Sequence, residues 1–328
     1  MKPTLIWVML LLGTPCAAVA QDGADWLMKI NDAARELNYD GTFVYVEGYR
    51  IASMRVTHRA RGGAMRQRIY SLNGAAREVI RDDNQVWCYV PDRKLGVHEY
   101  RRVSRKGFPD LLPKGLEHLV RYYDVRVGEQ GRVADRRVQQ IVVEPRDGFR
   151  YGYDLWADEA SGLLLKAALL NEERQPIEQY LFTTIEIGAD IDPENLEPVT
   201  PKSDLVWYGD ARSEDDVSGI SRRDSEMAAA NWVAEEVPDG FSLTRKMRRK
   251  SPMSGAVVEH YVYSDGLASV SVFIEKLDDA DARISGTKKM GAVYAFGREV
   301  DGHQVTVVGE VPARTVDLIG MSVRPKKQ

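Results

Sequence analysis

Apolar and polar positions alternate with a period of two along most of this chain, and helical spacing appears in only a few places. Near the start, Trp26, Leu27, Ile30, Ala33, Ala34 and Leu37 recur at helical intervals, which predicts a helix over residues 25–37 with Asp22 or Asp25 as its cap. From Gly41 the period becomes two. Runs rich in β-branched and aromatic residues at 42–47, 53–59, 65–72, 77–81 and 85–90 predict strands. Gly48, Gly62-Gly63, Asn73-Gly74 and Asp82-Asp83-Asn84 supply the turns between them, Asn73-Gly74 being the clearest hairpin signal. A second helix is predicted over 110–123, where Leu111, Leu112, Leu116, Leu119, Val120 and Tyr123 share one side and Pro113 falls in the first turn. Strands resume at 124–127, 137–144, 151–156, 163–170 and 177–187. Sequential strands with tight turns and few helices predict an antiparallel meander covered by helices on one face, an α+β half-barrel.

The pattern breaks at residues 190–231. Pro193, Pro198 and Pro201 precede polar, period-free stretches at 212–216 and 221–226, which read as a linker or domain edge. The expected division is a large domain over 21–200, a linker over 201–230 and a smaller β-rich domain over 231–328. In the smaller domain, 257–263 and 268–275 form a hairpin around Ser264-Asp265-Gly266, and 293–299 and 304–308 form another around Asp301-Gly302. Pro312 opens a last helix that ends near Gly320.

Residues 1–20 read as an address. Lys2, the apolar stretch 5–12 and the small-residue site Ala18-Val19-Ala20 make a secretory signal peptide that is removed, leaving a soluble exported protein. Pro15 directly before Cys16 fits a lipidation box poorly. No later apolar run approaches the length of a membrane span. The whole chain has 328 residues, with 45 Lys plus Arg against 49 Asp plus Glu and a net charge of -4, so a general nucleic-acid binder is excluded. Its two cysteines exclude a disulfide scaffold, and export removes Cys16, leaving Cys88 as the sole thiol with no assigned role.

Candidate chemistry is sparse. The five histidines, at 58, 98, 118, 260 and 303, show no metal-ligand spacing, and neither a nucleophile elbow nor a Gly-rich phosphate loop occurs. No catalytic residue, metal or cofactor is therefore assigned, and the protein reads as a non-enzyme. Cys88 sits inside a strand as a small buried hydrophobe, and a Cys/His nucleophile would need His98 or His118 to meet it. Two features go further. Arg245, Lys246, Arg248, Arg249 and Lys250 put five cations into six residues, either a solvated edge strand or a docking site for an acidic peptide or lipid phosphate. The first sheet is also dense in aromatics, among them Phe43, Tyr45, Trp87, Tyr89, Tyr153 and Phe182. With both faces of 42–46 apolar, this sheet is either ordinary core or the lining of a lipid pocket. On the residues alone, the chain reads as an exported, soluble binding protein without catalytic groups, and a lipid or lipoprotein carrier that uses this sheet as a hydrophobic cup is the alternative reading.

The segments 41–46 (GTFVYV), 77–81 (REVIR), 143–152 (VEPRDGFRYG), 161–166 (SGLLLK) and 169–172 (LLNE) resemble the RseB/MucB family, as do 238–245 (PDGFSLTR), 263–268 (YSDGLA), 272–275 (VFIE) and 305–312 (VTVVGEVP). Their order is that of the family over nearly the whole chain after the signal peptide. The resemblance implies a periplasmic negative regulator of the sigma-E (AlgU-type) envelope stress response. It implies a large domain similar in fold to the lipoprotein carriers LolA and LolB, and a smaller domain that helps bind the partner. By the same resemblance, the partner is the periplasmic part of an RseA/MucA-type anti-sigma factor, shielded from site-1 cleavage until lipopolysaccharide or mislocalised lipoprotein acyl chains release it. The basic stretch 90–105 departs from the family. Homo-oligomerisation, the releasing ligand and the angle between domains are left open.

Overall fold

The computed structural model describes residues 16–82, 85–100, 108–109, 111–112, 119–209, 231–250, 257–277 and 284–326. The fold is mostly β, with a large N-terminal sheet and a separate C-terminal sheet. Helix α1 (Cys16–Glu36) starts earlier than its apolar period suggests and buries Leu27, Ile30, Ala33 and Ala34. Twelve strands follow: β1 (Tyr39–Glu47), β2 (Arg50–Arg61), β3 (Ala64–Ser71), β4 (Glu78–Asp82), β5 (Gln85–Val90), β6 (Leu95–Tyr100), β7 (Tyr123–Val133), β8 (Arg136–Pro145), β9 (Gly152–Asp158), β10 (Leu164–Leu170), β11 (Pro176–Ile187) and β12 (Val206–Gly209). They form one sheet in the order β12-β6-β5-β4-β3-β2-β1-β11-β10-β9-β8-β7. Two antiparallel meanders, β1 to β6 and β7 to β11, are therefore joined by the β1–β11 pair, in which Phe43 lies opposite Phe182 and Tyr45 opposite Tyr180.

The sheet curls strongly. Between β11 and β7 stand three strands, which in a flat sheet would hold them about 19 Å apart at about 4.8 Å per strand. Instead β11 and β7 bring Cα atoms within 8 Å of each other. The half-barrel wraps α1, which packs on β2, β7, β8 and β10. The predicted second helix is described only as α2 (Leu119–Tyr122), the residues between 112 and 119 lying outside the described set. Of the residues assigned above to a linker, 206–209 belong to the sheet, because β12 pairs parallel to β6 and the Trp207 indole lies on Gly96 where no β-carbon would fit. Residues 210–230 of that linker lie outside the described residues.

In the smaller domain, β14 (Ser242–Lys250), β15 (Val257–Ser264), β16 (Ser269–Lys276), β17 (Gly286–Met290), β18 (Val293–Val300) and β19 (His303–Gly309) form a sheet in the order β14-β15-β16-β19-β18-β17. Helix α3 (Ala313–Ser322) covers it with Val316 and Ile319, and Gly320 is needed where the Phe296 ring presses on the helix. The last carbonyls of α3 are capped by one side chain: Arg298 donates to the oxygens of Gly320 (2.8 Å), Met321 (3.0 Å) and Val323 (2.6 Å). Strand β13 (Trp232–Ala234) pairs with β20 (Val323–Pro325) beside it.

Arg150 joins the two domains. It stands just before β9 and is 1% exposed. Its Nε donates to Oδ2 of Asp265 at 2.7 Å, and its other nitrogens donate to Asp147 and to the carbonyl of Asp239. The guanidinium stacks on Tyr122 (4.9 Å), Phe241 (5.0 Å) and Tyr123 (5.7 Å), whose hydroxyl also donates to Asp265. Asp265 sits in the β15–β16 turn, and its other oxygen accepts the amides of Leu267 (2.8 Å) and Ala268 (2.6 Å). That geometry drives Leu267 into the core of the large domain. At the start of α3, Thr315 donates to the Phe149 carbonyl at 2.7 Å.

Asp265→Leu takes one of two carboxylates from the buried Arg150 and leaves the Leu267 and Ala268 amides and the Tyr123 hydroxyl without their acceptor, so it is expected to lower stability by about 3–5 kcal/mol. Urea denaturation should show the loss, and Arg150→Met in the same chain should recover only part of it, because the amides stay unpaired.

Candidate functional site

The six aromatics singled out from the sequence do not share one face of the sheet. On β1, Phe43 and Tyr45 point towards α1 with Phe182 and Tyr180 of β11. Continuing the register through Ala167 and Leu155 brings Tyr153 to the same concave face. In the other direction, Phe43 aligns with Met54, and the same face runs on through Val56, Ile69, Val79, Cys88 and Val97. Trp87 and Tyr89 flank Cys88 on β5 and therefore point out of the convex face. They pack with Ile80, Leu205 and Trp207 under the segment that leads into β12. The register thus leaves Phe43, Tyr45, Tyr153 and Phe182 of the expected set together on the concave face, whereas Trp87 and Tyr89 lie on the other face and hold β12.

Phe108 completes the concave cluster, and no sequence pattern marked it. Its ring stacks on Tyr180 at 5.1 Å and meets Phe43 and Phe182, each at 5.2 Å. Phe43, Phe108 and Phe182 are buried, while Tyr45 lies against Tyr180 at 4.9 Å with its hydroxyl bonded to Glu178. Burial pushes the phenols of Tyr45, Tyr153 and Tyr180 up, so the cluster is neutral at physiological pH. On the convex face, Tyr89 is pushed up to about 12, first by burial and then by the Glu78 carboxylate. Val44 and Val46, also convex, are half-buried.

Strand alternation also divides the basic run. β14 is an edge strand, and Lys246 and Arg248 align with Tyr261 and Glu259, whereas Arg245 and Met247 align with Val262 and His260 on the other face. Arg248 approaches Glu259 at 3.9 Å, and Lys246 lies over the Tyr261 ring, where burial lowers its pKa. Arg249 and Lys250 hold the last register positions, and their side chains lie outside the described set.

Catalytic pairings do not assemble among the described residues. His98 aligns with Trp87 and stacks on it at 5.1 Å, on the face opposite Cys88, and His118 lies outside the described residues. His260 stacks on Phe273 and bonds Ser271, a sheet-facing role. Among the described residues no group of three or more His, Cys, Asp or Glu is arranged to hold a metal ion, and no helix is long and apolar enough to cross a membrane.

An aromatic concave sheet, a second sheet with a basic edge and a buried seam between them define a two-domain binding protein. The profile of the MucB/RseB N-terminal domain matches residues 22–200, and that of the MucB/RseB C-terminal domain matches 226–324. The chain belongs to the MucB/RseB family, whose members are regulatory binding proteins rather than enzymes. It is 35% identical to the sigma factor AlgU regulatory protein MucB of Pseudomonas aeruginosa, covering 97% of each chain. It is 28% identical to the sigma-E factor regulatory protein RseB of Salmonella typhimurium, over 98% of this chain and 96% of that one. Among solved structures, MucB in complex with MucA(peri) superimposes with a TM-score of 0.71 at 31% identity, over 94% of this chain and all of that one. MucB alone gives 0.63 at 31% identity, over 93% and 98%.

The face assignment is open to a mutational test. Phe43→Ala should cost about 3–5 kcal/mol as a buried aromatic truncation. Paired with Phe182→Ala it should be non-additive, whereas paired with Trp87→Ala the costs should add within about 0.3–0.5 kcal/mol. Denaturation of the single and double variants measures both.

Proposed function

We propose that this protein is a periplasmic regulator that binds the periplasmic domain of a MucA/RseA-type anti-sigma factor and shields it from regulated proteolysis. The observation that carries this reading is the match of both domains, over nearly the whole chain, to MucB, together with the likeness to MucB in complex with MucA(peri). Residues 1–20 have the pattern of an export signal, and the family match starts after them, at residue 22. The mechanism is occlusion: a peptide held against the protein is one a protease cannot engage. The basic edge strand β14 is the proposed docking element, with charge suited to an acidic peptide.

Release is proposed to come from acyl chains of lipopolysaccharide or mislocalised lipoprotein entering the concave aromatic face. Phe108 fills the space between Phe43, Tyr180 and Phe182, so an acyl chain must displace it. A ligand shifts such an equilibrium only by its differential affinity for the two arrangements, and the coupling is reciprocal.

The test titrates a synthetic anti-sigma periplasmic peptide into the protein with and without a lipopeptide. Lipid should weaken peptide binding by roughly 5- to 150-fold, the range of ordinary allosteric coupling. Equal affinities would remove the release mechanism and leave a simple shield, and no peptide binding at all would leave a lipid carrier. Phe108→Ala should tighten lipopeptide binding and strengthen the release. Arg248→Glu with Arg249→Glu should weaken peptide binding, by a factor that shrinks as salt is raised, since a Debye length of about 8 Å screens exposed charge.

A further inference from the structure

One end of the large sheet is half covered and half bare. The β8–β9 turn and the end of β10 reach it, and there the smaller domain closes over them, with Asp265 on Arg150 and Ala292 against Tyr151 and Leu169. The β1–β2, β3–β4 and β5–β6 turns and the start of β12 reach the same end. Five of the twelve large hydrophobic side chains exposed among the described residues gather on this open half: Tyr49, Ile51, Leu72, Val199 and Val206. Tyr49, in the β1–β2 turn, is fully exposed, and Ile51 is 66% exposed.

Backbone hydrogen bonds tie these loops into one rim. The Leu72 amide donates to the Ser53 carbonyl at 2.8 Å and the Ala76 amide to Asp92 at 3.0 Å. The Val199 amide donates to Glu78 at 3.1 Å and the Val206 amide to the Lys94 carbonyl at 2.9 Å. At about 4.8 Å per strand, the rim runs roughly 24 Å along the sheet from β1 to β6. The same loops hold five exposed cations, Arg50, Arg77, Arg93, Lys94 and Lys202, against three carboxylates, Glu47, Asp92 and Asp204. Those acids are engaged locally, by Arg50, the Ala76 amide and the Ser203 hydroxyl. The rim is thus net positive on a chain whose net charge is -4.

Apolar side chains interleaved with cations on a protruding surface suit the headgroup region of a bilayer, where Tyr is favoured and Lys and Arg meet lipid phosphate. An acidic peptide would satisfy the cations but leave the hydrophobic side chains among them in water.

We propose that this rim is a membrane-contact surface, which seats the large domain on an anionic phospholipid bilayer with Tyr49 and Ile51 in the headgroup region. The reading is independent of the anti-sigma partner, and it turns the end of the sheet that carries the domain seam towards the lipid.

The experiment uses the exported chain from Gln21, because the apolar stretch 5–12 would enter a bilayer by itself. Flotation is measured with vesicles of phosphatidylcholine alone and of two parts phosphatidylcholine to one part phosphatidylglycerol. The chain should float with the anionic vesicles and stay behind with the neutral ones. Each cation near an anionic surface is worth roughly fivefold in affinity, so Arg77→Ser with Lys94→Ser should weaken binding about 25-fold, and less as salt is raised. Tyr49→Ser with Ile51→Ser should weaken it by about tenfold or more and leave the urea midpoint unchanged. With Cys88→Ser, an environment-sensitive dye on Ile51→Cys should shift to the blue on binding. The same dye on Arg61→Cys, about 33 Å away along β2, should not. No binding to anionic vesicles, binding that survives both double variants, or equal dye shifts at the two ends of β2 would each overturn the membrane surface. Capture of polyglutamate through Arg77 and Lys94 without binding of vesicles would overturn it too, and would mark a peptide site instead.

Discussion

A guanidinium buried to 1% exposure between two domains is the constraint around which this molecule is arranged. Arg150 has to find acceptors for a charge that water no longer solvates, and most of them lie outside its own domain. Asp265 and the Asp239 carbonyl come from the smaller domain, and Phe241 supplies one of the three rings around it. Those acceptors are presented by turns whose own amides are tied down, as the Asp265 carboxylate does for Leu267 and Ala268. Satisfying one cation thereby fixes the β15–β16 turn, places Leu267 in the neighbouring core and sets where α3 begins against Phe149.

Most of the strands could be read from the chain because a half-buried antiparallel strand leaves a period of two and a turn residue at each end. The hairpins of the smaller domain and the helix opened by Pro312 appear almost where the pattern puts them. Strands without that pattern went unread: β17 is Gly-Thr-Lys-Lys-Met, exposed throughout, and β12 follows prolines with only four residues. Burial against Gly96, not local alternation, makes β12 a strand.

The aromatic site was half legible for a related reason. Within one strand, alternation puts Phe43 and Tyr45 together, but the face of Trp87 depends on the register of four successive strand pairs, where a one-residue slip reverses the answer. Phe108 carries no periodic signal at all, since it lies between elements and is buried by contacts from β1 and β11. Arg150 and Asp265 both fall in segments that carry the family resemblance. Alone, a single arginine before a strand and an aspartate in a turn look like ordinary surface polarity.

The β15–β16 turn has a consequence for what happens if the chain is cut. Leu267 is counted among the side chains of the large domain although it belongs to the smaller one, and Ala292 is likewise enclosed by Tyr151 and Leu169. A single nick between residues 209 and 231 would break continuity without freeing either piece. The halves would remain a non-covalent heterodimer, each supplying hydrophobic surface that the other needs, and they would migrate together until a denaturant separated them.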